Sequence, residues 1–442
     1  MSIDLYMNDN YLNLNNELVE KINIILSRYF HDLNDCIERK EINRSLYSEY
    51  LMAIGEGYNF FNNKNDWLEN SYKIMECLKE DMEQSRTIIG MGLFGGLCGI
   101  GFSLTLFNKK TGCYSRFLSS INRMIYHNTR ICCDSIRENI NSMKASYYDV
   151  ISGLSGIVLY LLECESSEER DEILKVLLEC IVQIFNGKHE YKGGQIPNWH
   201  IESKNLVRED EKTTFPNGNF NFGVAHGLIG MGIALSKAYS KNIIVDGQAE
   251  AIKRILDIYA KYGTPNAEGI YLWPGQLKYE DFISDNVHVY KSNRQSWCYG
   301  AIGISGALYT ISKMINDNNI CSFALDNIRR IARLDESSYR LNSPILCHGY
   351  AGALAIFLNI YKDVDDTAIY NRIVKLTDVL LSMYIPNSEF GFRDIIYEDI
   401  ENSFKTKHVD KNSFLEGTTG IILVLISLFK KDTYFQKHLL LE

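Results

Sequence analysis

Apolar residues along this chain gather into two kinds of run. In the first, a Gly-x-x-Gly opens a stretch that is apolar on nearly every side. The strings are GLCGIGFSL at 96–104, GLSGIVLYL at 153–161, GLIGMGIAL at 227–235, GAIGISGAL at 300–308, GYAGALAIF at 349–357 and GTTGIILVL at 417–425. Their first glycines are 57, 74, 73, 49 and 68 residues apart. In the second, apolar positions recur at helical spacing among charged ones, as in Glu169–Ile184, Gln248–Tyr262, Ser322–Leu334 and Thr367–Met383. A period near 3.6 predicts an amphipathic helix, and an all-round apolar run predicts a buried one. The chain therefore reads as a repeated helical pair. Small residues three apart let helix backbones approach, which suits a crowded inner layer, and the charged helices suit an outer one. Such repeats stack as an open solenoid or close into an α/α toroid. Closure would bring the starts of all inner helices to one end, around a central cavity.

The residues that would meet there are chemically distinctive. Asp149 and Ser152 precede Gly153, and His226 precedes Gly227. Arg294, Trp297, Cys298 and Tyr299 precede Gly300. Cys347 and His348 precede Gly349, and Glu416 precedes Gly417. A repeat built only for packing has no reason to place His, Cys, Asp and Arg in this phase again and again. Two segments break the helical pattern. Asn186–Phe222, with IPNWHIE and FPNGNFNF, alternates strand-like residues with turn formers and reads as part of a β-containing insertion. Gly263–Gln295 reads similarly.

Composition narrows the picture. Apolar residues are 46% of 442, enough for a sizeable core, and no low-complexity tract or long linker divides them, so residues 1–442 are expected to form a single domain. Six prolines favour long helices over a β-sandwich. A net charge of −9 argues against a nucleic-acid partner, which needs surplus cations. Ile421–Ile426 is far too short to span a bilayer, so no transmembrane segment is expected, and Met1–Glu17 lacks the pattern of a signal peptide. Eleven cysteines, odd in number, scattered and without a CxxC pair, indicate a reduced, cytoplasmic protein rather than a disulfide framework.

Cys298, Cys347 and His348 occupy equivalent places in neighbouring repeats. Two thiolates and an imidazole select Zn²⁺, and three protein ligands leave the open fourth position of a catalytic site. The plain alternative is a pair of ordinary buried cysteines, which the adjacent His348 and the repeat phase argue against. A neutral zinc–dithiolate site favours a further thiolate and thus addition or alkylation chemistry on a substrate thiol. His226 could act as general acid/base or simply hydrogen-bond at a helix start. Asp149 could orient His226 or cap its own helix. Arg294 could stabilise an oxyanion or form a surface ion pair. Trp297 and Tyr299 read as walls of the cavity. Glu416 stays outside the catalytic set, and the remaining cysteines, including Cys132 and Cys133, read as structural.

SWCYGAIGISGAL at 296–308 and CHGYAGAL at 347–354 resemble the signature motifs of the LanC-type lanthipeptide cyclases. GVAHGLIG at 223–230 and YDVISGLSG at 148–156 are similar to the family's other two motifs, in the same order. The resemblance runs from about Gly92 to the end. It implies an all-α fold, an α/α toroid with a small SH2-like insertion, of which Asn186–Phe222 would be part. It implies zinc on Cys298, Cys347 and His348, with His226, Asp149 and Arg294 as catalytic residues. Six inner-helix starts are clear where the family fold has seven; the seventh is expected near Leu46–Gly57, where the pattern fails.

The implied reaction is an intramolecular Michael addition. In a dehydrated precursor peptide carrying its leader, a cysteine thiolate attacks dehydroalanine or dehydrobutyrine and closes a thioether ring. His226 would protonate the enolate, with Asp149 orienting it and Arg294 near its oxygen. A separate dehydratase and an exporter are the implied partners, with the protein cytoplasmic and held near the membrane through that complex. At 442 residues the chain is expected to lack a fused dehydratase. Prenyltransferase β-subunits also combine a toroid with zinc and a thiol substrate, but the Cys347-His348 dipeptide argues against them. A LanC-like protein that binds zinc and a thiol such as glutathione without closing rings is the remaining alternative.

Overall fold

The computed structural model describes residues 11–84, 90–400 and 403–442. Among them, fourteen helices of eight residues or more alternate between an outer and an inner layer. Outer α1 (Asn16–Glu38) leads to inner α2 (Tyr47–Gly57), and outer α3 (Lys64–Glu83) to inner α4 (Leu97–Thr111). Outer α5 (Ser115–Glu138) and inner α6 (Leu154–Leu161) follow, then outer α7 (Glu168–Asn186) and inner α8 (Leu228–Ser240). The last three pairs are α9 (Gln248–Tyr262) with α10 (Ala301–Ile315), α11 (Asn318–Ala332) with α12 (Tyr350–Tyr361), and α13 (Thr367–Ser382) with α14 (Thr418–Ser427). Each inner helix touches the next, and α14 touches α2, so the inner ring closes with seven members. Each inner helix also packs on the outer helix that follows it in sequence, with α14 on α1 closing the set. The fold is an α/α toroid.

The layers follow from the two kinds of run. From Leu97 to Phe107 every residue of α4 is buried, as is the whole of α6. In α5 only Ile121, Ile125, Tyr126, Thr129, Cys133 and Ile136 are buried, one stripe at helical spacing. The four amphipathic stretches read from the sequence become α7, α9, α11 and α13 with small shifts at their ends. The seventh inner helix is α2. Its start escapes the pattern because a 3₁₀ turn, Arg44–Leu46, replaces the Gly-x-x-Gly loop and because Ser48, Glu49 and Glu56 are buried among its apolar residues.

The Gly-x-x-Gly motif has a local cause. Before most inner helices the chain folds back over the first turn, so that a carbonyl seven residues upstream accepts from an otherwise orphaned N–H. Leu97 donates to Gly90, Gly156 to Asp149, Tyr350 to Ser343 and Thr418 to Lys411, at 2.8–3.3 Å. A Cβ at Gly303, Gly352 or Gly420 would stand 2.2, 2.0 or 1.9 Å from the carbonyl oxygen of Trp297, Leu346 or Phe414. The second glycine thus admits the chain's own loop; close approach of neighbouring helices, the reading from sequence, is not its main task.

These loops are also stitched to one another. Phe94 N–H donates to Ile151 O (3.2 Å), Val150 to Ala225 (3.2 Å), Val224 to Cys298 (2.8 Å), Cys298 to Cys347 (3.2 Å) and Cys347 to Leu415 (2.8 Å). The result is a backbone belt around one end of the ring. Phe94, Ile151, Ala225, Cys298, Cys347 and Leu415 each stand two residues before their glycine, so the belt places equivalent residues side by side.

The axis of the toroid is filled. A segment containing the short helix Phe435–His438 enters it and bonds to four inner helices or their loops. Phe435 N–H donates to Glu56 Oε1 (2.8 Å), Trp297 Nε1 to Leu439 O (3.0 Å), Asn359 Nδ2 to Leu441 O (2.7 Å) and Lys237 Nζ to Glu442 O (2.9 Å). The His438 ring lies 4.5, 4.6 and 5.1 Å from those of Phe94, Phe102 and Phe414. Together with Trp297 these residues floor the rim.

All strands of the described residues lie in the connections. Asn186–Phe222 holds the hairpin of β1 (Lys188–Tyr191) and β2 (Gly194–Pro197), then β3 (Asn219–Asn221). In Gly263–Gln295, β4 (Thr264–Pro265) pairs with β5 (Tyr271–Leu272), and β6 (Gln276–Lys278) pairs back onto β3, tying the two segments together. A longer hairpin of β7 (Arg393–Ile400) and β8 (Ser403–Asp410) joins α13 to α14. None of the described helices is long and apolar enough to cross a membrane.

Candidate active site

Cys298 and Cys347 are far apart in sequence, yet the belt makes them neighbours: the Cys298 N–H donates to the Cys347 carbonyl. Their thiols are close enough to act on one another. That interaction, helped against burial by the His348 imidazole, Ser296 Oγ and the Arg294 charge, holds Cys298 below the ordinary thiol range. The same interaction and burial push Cys347 up. One thiol of the pair therefore ionises readily and the other keeps its proton.

His348 follows Cys347 directly, and its Nε2 lies 3.5 Å from Asp394 Oδ1 on β7. Two soft sulfurs and an imidazole on adjacent loops fit a thiophilic dication in their chemistry. As placed, no three His, Cys, Asp or Glu side chains among the described residues form a group that could hold a metal ion.

Asp149 and His226 form the second group. The Asp149 side chain is 2% exposed, and its Oδ2 lies 2.6 Å from His226 Nδ1. Its Oδ1 accepts from Ser152 N–H (2.8 Å) and Gly153 N–H (2.9 Å). Asp149 therefore pins the loop before its helix and holds His226; of the two roles weighed from sequence, the helix cap is not made, since the N-cap is Gly153 and no side chain caps it. Burial works against the imidazolium, but the Asp149 carboxylate, with Cys298 and Glu211 behind it, outweighs that and raises the pKa of His226. With Nδ1 turned to the carboxylate, Nε2 is left for other partners.

Arg294 contributes its charge at Cys298. Gly300, at φ +143°, lets the Arg294 loop curl over: a Cβ there would meet the Arg294 carbonyl oxygen at 1.9 Å. Tyr299 is a wall, its ring against Gly223 and Gly275 and its hydroxyl accepting from Asn221 Nδ2 at 2.8 Å. Trp297 belongs to the floor. The six residues read from sequence as metal ligands or catalytic groups thus all lie in the rim loops. Sequence reasoning missed Asp394 and Glu211, which sit outside the Gly-x-x-Gly phase and carried no signal that could have found them, and Ser343, which shares its place in the loop with Gly90 and Lys411 and so shows no common residue type. A cavity of about 850 Å³ lined by Tyr309, Lys313, Asn359, Lys362 and Glu442 opens toward the other ends of the inner helices and includes none of the site residues.

Comparison with known proteins agrees with this architecture. Residues 50–440 match the model of the family described as lanthionine synthetase C-like protein. The nisin biosynthesis protein NisC of Lactococcus lactis subsp. lactis is 30% identical over 360 residues, covering 79% of this chain and 77% of the relative. The solved structure of nisin cyclase superposes with a TM-score of 0.77 at 22% identity, covering 96% of this chain and 98% of the other. With the family model spanning nearly its whole length, the chain belongs to the lanthionine synthetase C-like family.

Proposed function

We propose that this protein is a zinc-dependent lanthipeptide cyclase of the cytoplasm. It closes thioether rings by adding substrate cysteine thiols to dehydroalanine or dehydrobutyrine in a dehydrated, leader-bearing precursor. The observation that carries this reading is the meeting, on one rim, of a thiol pair and imidazole with a buried Asp149 paired to a part-exposed His226. The similarity to NisC and to nisin cyclase supports it. A dehydratase would act before it and an exporter after it.

Cys298, Cys347 and His348 would hold the zinc, which when bound supplies Lewis acidity that ionises a substrate thiol at neutral pH. The rest of the chemistry falls to this chain's residues. Sulfur forms a bond to the β-carbon, and the π pair moves onto the carbonyl as an enolate. Arg294 meets that negative charge with a cation, and the nearby N-termini of inner helices add to the positive field. His226 holds a proton at Nε2 while Asp149 fixes Nδ1, and delivers it to the α-carbon. The thiol's proton leaves to solvent and His226 takes one back from it, so the enzyme is restored and ring closure is an isomerisation.

The test is reconstitution with a dehydrated precursor of the nisin type. Ring closure leaves the mass unchanged and removes the free thiols, so the product should no longer take up N-ethylmaleimide. Zinc-loaded protein that leaves every thiol alkylatable would refute the assignment, and retained zinc with bound glutathione would then favour a thiol-binding role.

A further inference from the structure

The β7–β8 hairpin brings a carboxylate to the thiol–imidazole cluster from outside the ring. Asp394, the second residue of β7, is 2% exposed. Its Oδ1 accepts from Ser343 Oγ at 2.7 Å and lies 3.5 Å from His348 Nε2. Its Oδ2 is buried and has no hydrogen-bond partner. A buried carboxylate oxygen left unpaired is costly, and the imidazole beside it is a ready donor. The base of the hairpin is held by Arg393 Nε on Asp410 Oδ2 at 2.8 Å and by the pairing of Asp394 with Val409. The carboxylate therefore stands on a fixed strand and not on a mobile loop.

We propose that Asp394 is a positioning residue for the metal centre: it takes the Nε2–H of His348 and so fixes the ring with Nδ1 as the nitrogen that binds the metal. This rests on the zinc reading above. A carboxylate behind a metal-bound imidazole fixes its tautomer and strengthens it as a ligand, and its loss typically weakens metal binding about 10- to 100-fold. The competing explanation is that Asp394 only ties the hairpin to the Ser343 loop.

Three variants separate the two: Asp394→Asn, Asp394→Ala and Ser343→Ala, with Cys298→Ala as the control for the zinc reading. Zinc affinity is measured on the full chain by competition with a chromophoric chelator, and cobalt substitution reports the ligands through thiolate-to-metal absorption. Both Asp394 variants should bind zinc roughly 10- to 100-fold more weakly, while the cobalt form keeps its thiolate bands. Ser343→Ala, which cuts the tie and leaves the carboxylate beside His348, should stay near the parent. Melting temperature without metal controls for misfolding: the Asp394 variants should differ from the parent mainly in the increase that zinc produces. Parent-like zinc affinity in Asp394→Asn, or equal losses in Ser343→Ala and Asp394→Ala, would overturn the proposal. If Cys298→Ala also kept its zinc, the zinc reading itself would fail.

Discussion

Replacing Asp149 by Asn is the most revealing single change at this site, because it alters one proton and almost no shape. The Asn oxygen can still accept from Ser152 and Gly153 N–H, so the loop before the helix keeps its shape. Its amide nitrogen, however, faces His226 Nδ1, now 2.6 Å from a carboxylate oxygen. A donor there forces Nδ1 to accept and opposes the imidazolium. The structure raises the His226 pKa chiefly by setting this carboxylate against burial, so the variant's pKa must fall and less acid is present at neutral pH. A charge-assisted hydrogen bond contributes about 1.5–3 kcal/mol, which corresponds to roughly a ten- to hundredfold loss in rate. The assay is single-turnover ring closure across pH for Asp149→Asn, His226→Asn and the double variant. The limb of the pH profile on which the acid is lost should move to lower pH in Asp149→Asn. The double variant should be little slower than His226→Asn alone, since the two act as one unit. Multiplicative losses with an unmoved pH limb would refute the reasoning and leave Asp149 as a residue that only holds its loop.

Further outcomes follow from other parts of the molecule. Cys298→Ala and Cys347→Ala should each lower zinc content in elemental analysis, because each removes one of three protein ligands. Glu163 is buried, but Lys237 at 3.0 Å and Lys437 at 3.2 Å outweigh that burial and draw its pKa down to about 2. Glu163→Gln should cost about 3–5 kcal/mol in denaturant titrations near pH 7 by stranding Lys237; the parent's share from this carboxylate is present above its unfolded pKa and fades as pH falls toward 2. Gly352→Ala should destabilise by more than about 1 kcal/mol, since its Cβ would meet the Leu346 carbonyl at 2.0 Å, and should disturb zinc binding at the adjoining Cys347. Burial drops the His438 pKa to about 3, so the native state excludes a proton that the unfolded chain binds below about 6.5. Thermal melts of His438→Phe should lose less stability than the parent between pH 6.5 and 4.

Much of this was legible because the repeat is written in glycine. Six inner helices announced themselves through a loop that only glycine admits, and the same phase carried Cys298, Cys347, His348 and His226 to one rim. Where the backbone solution differed the signal vanished: α2 starts from a 3₁₀ turn and buries Glu49 and Glu56, so no apolar run marked it. Asp394 reaches His348 from a hairpin whose sequence shares nothing with the repeat. The segment that fills the axis is short and unremarkable as a string. It matters only through contacts such as Trp297 with Leu439, 142 residues apart. Pairings over such distances depend on ring closure, which local patterning does not encode.

The belt of loop hydrogen bonds has a consequence for how such a protein can change. Its bonds run through main-chain groups alone, so the side chains at those places carry none of the stitching. Ile151, Ala225 and Leu415 occupy the same backbone seats as Cys298 and Cys347, and Ser152, Tyr299 and Glu416 the same seats as His226 and His348. The rim behaves as a rack of equivalent sockets in which a residue can be exchanged without refolding what holds it. Reactivity and substrate preference can then drift one socket at a time, while the architecture beneath stays as it is.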